Sequence, residues 1–331
     1  MDISKLGEFG LISRLTKDIK PAQPSTLKGI GDDAAILIHG NTALAVTTDM
    51  LVEGIDFDLT YVPLQHLGYR AAVVAFSDIY AMNAMPQQLF VSIAVSAKFS
   101  VEALERFYYG LKLACERHHV DLAGGDTAPS MTGFVINITA IGELNPARIT
   151  YRHTAKKGDL ICVTGNLGAA YMGLQILERE KKLFEEDPTV QPQLENYGYV
   201  VGRQLKPEAR RDIIDFLASA YLQPTSMIDL SDGLSSDLLH ICHASGVGCE
   251  IHHHKIPIAE ETVAVAEEFF MEQVIVALHG GDDYELLFTI SVSDYDKIVG
   301  HEQISVIGYI KEKEEGCYLV TENGTRMEIK S

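Results

Sequence analysis

The sequence predicts an α/β protein built in two domains. Three observations carry this. Apolar runs of strand length alternate with stretches of helical periodicity, several of those runs end on a glycine–aspartate turn, and the pattern breaks around Asn145 and Pro146. A chain of 331 residues is long enough for two cores. We expect domains at 1–146 and 147–331.

In the first half, 42–50 (TALAVTTDM) reads as a strand ending at Asp49. Residues 64–84 repeat apolar side chains at helical spacing (Leu64, Leu67, Ala71, Val74, Ala75, Ile79, Met82), with Pro86 as the stop. LFVSIAVSA at 89–97 is a strand. Ser100 is placed to cap a helix at 101–118 whose stripe is Leu104, Phe107, Leu111 and Ala114. VDLAGGDT is a short strand running into a glycine turn, and 134–144 is another strand.

The second half opens with a strand at 159–165, a glycine turn and a helix at 168–181. Residues 183–198 are acidic and polar, as a surface segment is. Pro207 fits the first turn of a helix at 208–221. SMIDLSDGLSSDLLHICHAS reads as strand, aspartate turn and helix. A helix at 259–273 and a strand at 285–292 follow. The C-terminal strands are joined by a hairpin at Asn323 and Gly324. No strict short-period repeat is present, although both halves place a glycine–aspartate turn after a strand.

The formal net charge of −19 argues against nucleic-acid binding, which requires a basic face. It does not exclude phosphate ligands, because magnesium can bridge carboxylates to phosphates. The five cysteines form no CxxC pair and mostly sit in apolar runs, as reduced thiols in a cytoplasmic protein do. No apolar stretch reaches the ~18 residues of a membrane span. The N-terminus lacks the basic and apolar regions of a signal peptide.

The chemistry lies in six acidic clusters: GIGDDAA at 29–35, TTD at 47–49, FSD at 76–78, GGDT at 124–127, DLSDG at 229–233 and HGGDDYE at 279–285. One such cluster alone reads first as an acidic turn, since Asp and Gly are turn formers. Six, each beside an apolar run, favour a magnesium–nucleotide site, because buried carboxylates need cations. Gly124 and Gly125 let backbone approach a phosphate, with Asp126 beside them to hold the bridging metal. Thr47 and Thr48 add oxygens next to Asp49. Asp229 and Asp232 flank a helix start whose N–H groups favour an anion, although Asp232 or Ser231 as a plain helix cap is the alternative.

No Walker A loop, protein-kinase signature set or G-x-S-x-G elbow occurs. GNLGAAYMG at 165–173 lacks dinucleotide-binding spacing and reads as a strand-to-helix turn. His252, His253 and His254 alternate faces and make a poor common metal site. His118 and His119 fall at a helix C-terminus, where they face its dipole. Arg152 lies between two strands, within reach of a phosphate or on the surface.

GIGDDAAIL, TTDMLVEG, SDIYAMNAMP, GGDT, VTGNLG, SMIDLSDGLSSDL and GGDDYELLFT occur in that order. Together they resemble the thiamine-monophosphate kinases, of the aminoimidazole-ribonucleotide-synthetase-like superfamily, from about Gly7 to Gly308. The resemblance implies transfer of the γ-phosphoryl group of ATP to thiamine monophosphate, directly and in line, with several Mg2+ ions and no covalent phospho-enzyme. It implies metal ligands at Asp33, Thr47, Thr48, Asp49, Asp78, Asp126, Asp229 and Asp232. It implies ATP contacts at Gly125, Asp126, Arg152 and Ser231. The fold implied is a two-domain α/β protein whose N-terminal strands form a barrel across a homodimer.

The departures fall at the acceptor end. The family commonly has a histidine where Asp56 stands in GIDF, and a glutamate where Asp282 stands in GGDDYE. These two are the substrate positions. The aromatic residue that stacks on substrate near the family's C-terminus has no evident counterpart. Other members of the superfamily fit less well. A selenophosphate synthetase wants a reactive cysteine near the N-terminus, and the first here is Cys115. A hydrogenase-maturation dehydratase ends in a cysteine, and this chain ends in Lys330 and Ser331. The alternatives are an aminoimidazole-ribonucleotide synthetase and a non-catalytic nucleotide-binding regulator.

Overall fold

The computed structural model describes residues 7–330. The reading of the N-terminus as lacking a signal peptide falls partly on residues 1–6, outside the described residues, as does Ser331. The first half contains α1 (Gly7–Thr16), β1 (Thr26–Lys28), β2 (Ala35–His39), β3 (Thr42–Val52), α2 (Leu64–Ala81), β4 (Met85–Val95), α3 (Val101–His118), β5 (Asp121–Pro129) and β6 (Val135–Leu144). Its strands form one sheet in the order β1-β2-β3-β6-β4-β5, antiparallel except for the β4–β5 pair.

The second half contains β7 (Leu160–Thr164), α4 (Ala169–Glu186), α5 (Gly198–Leu205), α6 (Arg211–Ser219), β8 (Ser226–Leu230), α7 (Leu234–Ser245) and β9 (Gly248–His252). It continues with α8 (Glu260–Glu268), α9 (Gln273–His279), β10 (Glu285–Ile290), α10 (Tyr295–Ile298), β11 (Ile304–Lys311), β12 (Cys317–Val320) and β13 (Arg326–Glu328). Its sheet runs β13-β12-β9-β11-β7-β10-β8.

Two helices cover one face of the first sheet. Ser100 caps α3 by accepting a hydrogen bond from the Ala103 amide, and Phe107, Leu111 and Ala114 of the expected stripe are buried. Burial of each of the two larger side chains contributes roughly 1.5–3 kcal/mol. α2 and α3 cross at glycines: a Cβ on Gly68 would lie 2.0 Å from the Phe107 carbonyl oxygen, and one on Gly110 would lie 1.9 Å from that of Gln65. The core below continues through Cys162, Met227, Leu286 and Phe288 onto the second sheet. α2 therefore stands between the two sheets. On the other face of the first sheet Thr48, Met50 and Phe90 are exposed, and every residue of the edge strand β5 is exposed.

Five expectations need correction. Gly124 and Gly125 lie inside β5, paired with Phe90 and Val91. A Cβ on Gly125 would lie 1.9 Å from the Val91 oxygen, so this glycine permits close strand approach and makes no turn. Pro86 does not stop α2, which ends at Ala81 before Asn83 turns left-handed (φ 59); Pro86 sits at an irregular register in β4, where a missing N–H is tolerated. Pro207 lies four residues before α6, which starts at Arg211. The helix expected at 259–273 breaks at Phe270 (φ 55) into α8 and α9. His118 is buried, with Nδ1 2.8 Å from the Tyr80 hydroxyl, and burial lowers it to about 4, so it is neutral and presents no cation to the helix dipole.

The C-terminal hairpin is as expected, β12 pairing with β13 across a turn where Gly324 has φ 82. None of the five cysteines is in a disulfide. Of the three histidines, His252 packs on Tyr309 and against the His254 ring, while His253 lies near Glu272, so the three do not share one site.

Candidate active site

Asp33, Asp78 and Asp229 each offer a carboxylate oxygen, and these lie within 4.8 Å of one another. They come from three places in the chain: the turn before β2, the last turns of α2 and the end of β8. Two hydroxyls fix the acids. Thr47 on β3 donates to Asp78 at 2.6 Å, and Ser77 donates to Asp229 at 2.8 Å. Asp49 follows Thr47 by two residues and shares its face of β3 by strand alternation. Its Oδ2 is buried without a hydrogen-bond partner.

Crowding and burial show in the acidities. Burial first, then the Asp33 charge, push Asp229 up to about 8. Asp78 is raised well above the usual carboxylate range by burial and by Asp49, Asp229 and Asp33. Burial raises Asp49 to about 6. Burial and the neighbouring Asp33 raise Asp32 to about 6. Like charges out of water disfavour ionisation, so this site binds either protons or metal cations.

Arg152 is the basic group at the rim. Its Nε lies 3.1 Å from Asp33 Oδ2 while its other arm bonds Oδ1, and its backbone amide donates to Asp32. A cleft of about 630 Å³ opens beside it, lined by α1, the 29–31 segment and α7, with Lys17 and Lys20 at its wall.

The other expected ligands stand outside the cluster. Thr48 points to the exposed face of β3, accepting from Asn137 and Thr139. Asp126 is exposed on β5 and accepts from the Thr127 amide. Gly125 is beside it. Asp232 and Ser231 are exposed before α7, and neither caps that helix, whose N-cap is Gly233 with φ 106.

Asp56 and Asp282 line one cleft of about 410 Å³, together with Tyr61, Arg70 and Lys181. Asp282 is held there in a left-handed conformation (φ 60), accepting from Arg70 at 2.9 Å and from the Tyr284 hydroxyl at 2.8 Å. Asp56 accepts from the Val52 amide. Arg70 and Ser77 are two turns apart on one face of α2, so this cleft sits roughly 10 Å along the helix from the aspartates. The rest of the 279–285 motif is structural. Asp283 accepts from the Gly168 amide at the start of α4, and Glu285 accepts from Thr164 and pairs with Arg203 and Arg210.

Sequence reasoning missed Ser77, Asp237, Arg70 and Tyr284. Asp237 is buried behind Asp229, accepts from the Asp232 amide and is raised well above the carboxylate range by burial and Asp229. Its signal was the third acid of DLSDGLSSD. Arg70 gave a signal too, as a charge on the apolar side of a helix.

The fold and site define a member of the AIR synthase related proteins. The N-terminal domain of that class matches residues 31–144 and the C-terminal domain matches 156–317. Within that class the chain belongs to the thiamine-monophosphate kinase family. It is 34% identical to the enzyme of Aquifex aeolicus (strain VF5) over 289 residues, 87% of each chain. It is 32% identical to that of Bacillus subtilis (strain 168) over 330 residues, 97% of each. The solved structure of AaThiL complexed with AMPPCP and TMP superposes with a TM-score of 0.83 at 31% identity, covering 99% of this chain and 97% of that one.

Proposed function

We propose that the chain transfers the γ-phosphoryl group of ATP to thiamine monophosphate, giving thiamine diphosphate and ADP. The convergence of Asp33, Asp78 and Asp229 carries this reading: three carboxylate oxygens within 4.8 Å, two of the side chains buried, on a chain with no P-loop lysine. The unpartnered Asp49 Oδ2 fits a metal as well. Asp33, Asp49, Asp78 and Asp229 would hold Mg2+, with Thr47, Asp126 and Asp232 added to the proposed ligand set; Thr48, whose hydroxyl faces the other side of β3, would offer only its backbone oxygen. Bound there, Mg2+ would supply the charge neutralisation that two phosphate groups brought together require.

The protein's part is positioning and charge. Arg152, Gly125, Asp126 and Ser231 are assigned to ATP. Asp282, fixed by Arg70 and Tyr284, and Asp56 are assigned to the thiamine end. Glu178 and Tyr61 join them, the tyrosine donating to the carboxylate at 2.7 Å. No general base is needed, because an acceptor phosphate oxygen is already ionised. The proposed division is 1–146 for metal, nucleotide and dimer contacts and 147–331 for the C-terminal domain. The exposed sheet face and the edge strand β5 support a homodimer in which the N-terminal strands close a barrel. Nucleic acid is excluded from the proposal by the charge of −19. No helix among the described residues is long and apolar enough to cross a membrane.

The test is ADP release with ATP and Mg2+, with and without thiamine monophosphate, and the product's mass. Release that depends on the acceptor and yields thiamine diphosphate supports the reading; ATP binding without release overturns it. Asp49→Asn and Asp126→Asn are each expected to cut turnover at least ~100-fold, as loss of a metal ligand does. A near-normal rate in Asp126→Asn removes β5 from the ligand set.

A further inference from the structure

Phosphoryl transfer uses none of the cysteines, yet three of the five converge. The sulfurs of Cys242, Cys249 and Cys317 lie within 4.8 Å of one another. Cys249 and Cys317 are direct partners across the parallel β9–β12 pair. Cys242 arrives from the last turn of α7, which is joined to β9 by a tight turn at Gly246 (φ 68). Cys242 and Cys249 are fully buried and Cys317 is partly exposed. Cys317 borders a cleft of about 490 Å³ that is also lined by His243, Lys313 and Lys330.

We propose that these three cysteines form a binding site for a thiophilic divalent cation of the zinc type, separate from the aspartate site. Three thiolates from three rigid elements supply the closed side of a tetrahedron, and the cleft leaves the fourth position for water or for His243. Zinc–sulfur bonds of about 2.3 Å place tetrahedral sulfurs roughly 3.8 Å apart, so the observed cluster needs to contract by no more than about 1 Å. Magnesium does not compete here, because it prefers oxygen.

Cation binding exchanges thiol S–H bonds for three S–M bonds, and the displaced protons pass to solvent. Lys313 on the cleft wall offsets the resulting negative charge, while Lys330 there is paired with Glu328 at 3.7 Å.

The experiment is a titration of the reduced, full-length protein with Cd2+ while Mg2+ saturates the aspartates. We expect an ultraviolet sulfur-to-cadmium charge-transfer band reaching one equivalent per chain, release of thiol protons, and protection of Cys317 from thiol reagents. Cys317→Ser is expected to weaken binding at least ~100-fold, a loss of about 2.7 kcal/mol or more, while Cys115→Ser leaves it unchanged. Iodoacetamide alkylation of Cys317 in the wild-type protein gives the same loss without depending on a variant's folding. Absence of the band, or a band that survives both Cys317→Ser and alkylation, overturns the proposal. ADP release is untouched by either outcome, so this site and the kinase reading fail independently.

Discussion

The guanidinium of Arg152 forks onto the carboxylate of Asp33, Nε lying 3.1 Å from Oδ2 and the second arm bonding Oδ1. Planar two-point pairing of this kind neutralises one acid of a crowded set. Removing the cation leaves a buried charge uncompensated, which costs about 3–5 kcal/mol in comparable sites. Arg152→Ala is therefore expected to lower stability by that order without Mg2+, and Mg2+ is expected to recover part of it. Urea unfolding with and without the ion measures both. Equal losses in the two conditions count against a cation site at Asp33.

The same crowding makes a second, opposite prediction. Asp229 is raised to about 8 by burial and by Asp33, so its ionised form is unfavourable in the folded chain. Asp229→Asn keeps an acceptor for the Ser77 hydroxyl and removes the cost of keeping a buried acid protonated or ionised at neutral pH. Without metal, the variant is expected to melt several degrees higher, about 1–2 kcal/mol more stable. It is also expected to lose at least ~100-fold in turnover and most of the Mg2+-dependent stabilisation. A variant that melts lower without metal contradicts this electrostatic account.

The parts of this arrangement that were legible in the sequence are local. Ser100 and the α3 stripe and the turn after Leu230 were each written in a few adjacent residues, as was β3, although it runs on to Val52 and does not end at Asp49. Long-range relationships were not. Nothing local tells Ser77 that it will meet Asp229, or Arg70 that it will hold Asp282. The expected turn at Gly124 and Gly125 failed for the same reason. Glycine signals backbone freedom or absence of a Cβ, and only the neighbouring strand, with the Val91 oxygen 1.9 Å from a hypothetical Cβ, distinguishes the two. Asp56 and Asp282 were singled out by comparison with a family motif; their meeting in one cleft comes from packing α2 between the sheets.

The α2–α3 crossing supplies a purely structural prediction. A methyl group at Gly110 meets the Gln65 carbonyl oxygen at 1.9 Å and the Tyr69 amide nitrogen at 2.9 Å. Both are backbone atoms and cannot swing aside. Helix propensity alone makes Gly→Ala favourable by up to about 1 kcal/mol. Overpacking is expected to outweigh it, so that Gly110→Ala is destabilised by about 2 kcal/mol or more in urea unfolding. Because α2 carries Arg70, Ser77 and Asp78, turnover is expected to fall as well. A variant as stable as wild type rules out the close crossing.

His118 gives the pH prediction. It packs against Phe76 and Tyr80, with Arg117 and Arg211 close by; Arg211 donates to its carbonyl oxygen at 2.7 Å. Burial first, and those two positive charges after it, lower it to about 4 from 6.5. Protonation would add a second ring N–H, and Nε2 is already buried without a partner. Since the folded value lies below the unfolded one, the unfolded chain binds more protons between the two. The stabilisation is thus complete above about pH 6.5 and is lost as pH falls towards 4; in full it amounts to roughly 3 kcal/mol. The raised aspartates act in the opposite direction, gaining stability as they protonate, so wild-type curves mix both. The difference between wild type and His118→Phe isolates the histidine. That difference is expected to change by about 2 kcal/mol in favour of the variant between roughly pH 7 and pH 5. Parallel stability curves for the two proteins show that His118 takes up its proton inside the fold as readily as outside it.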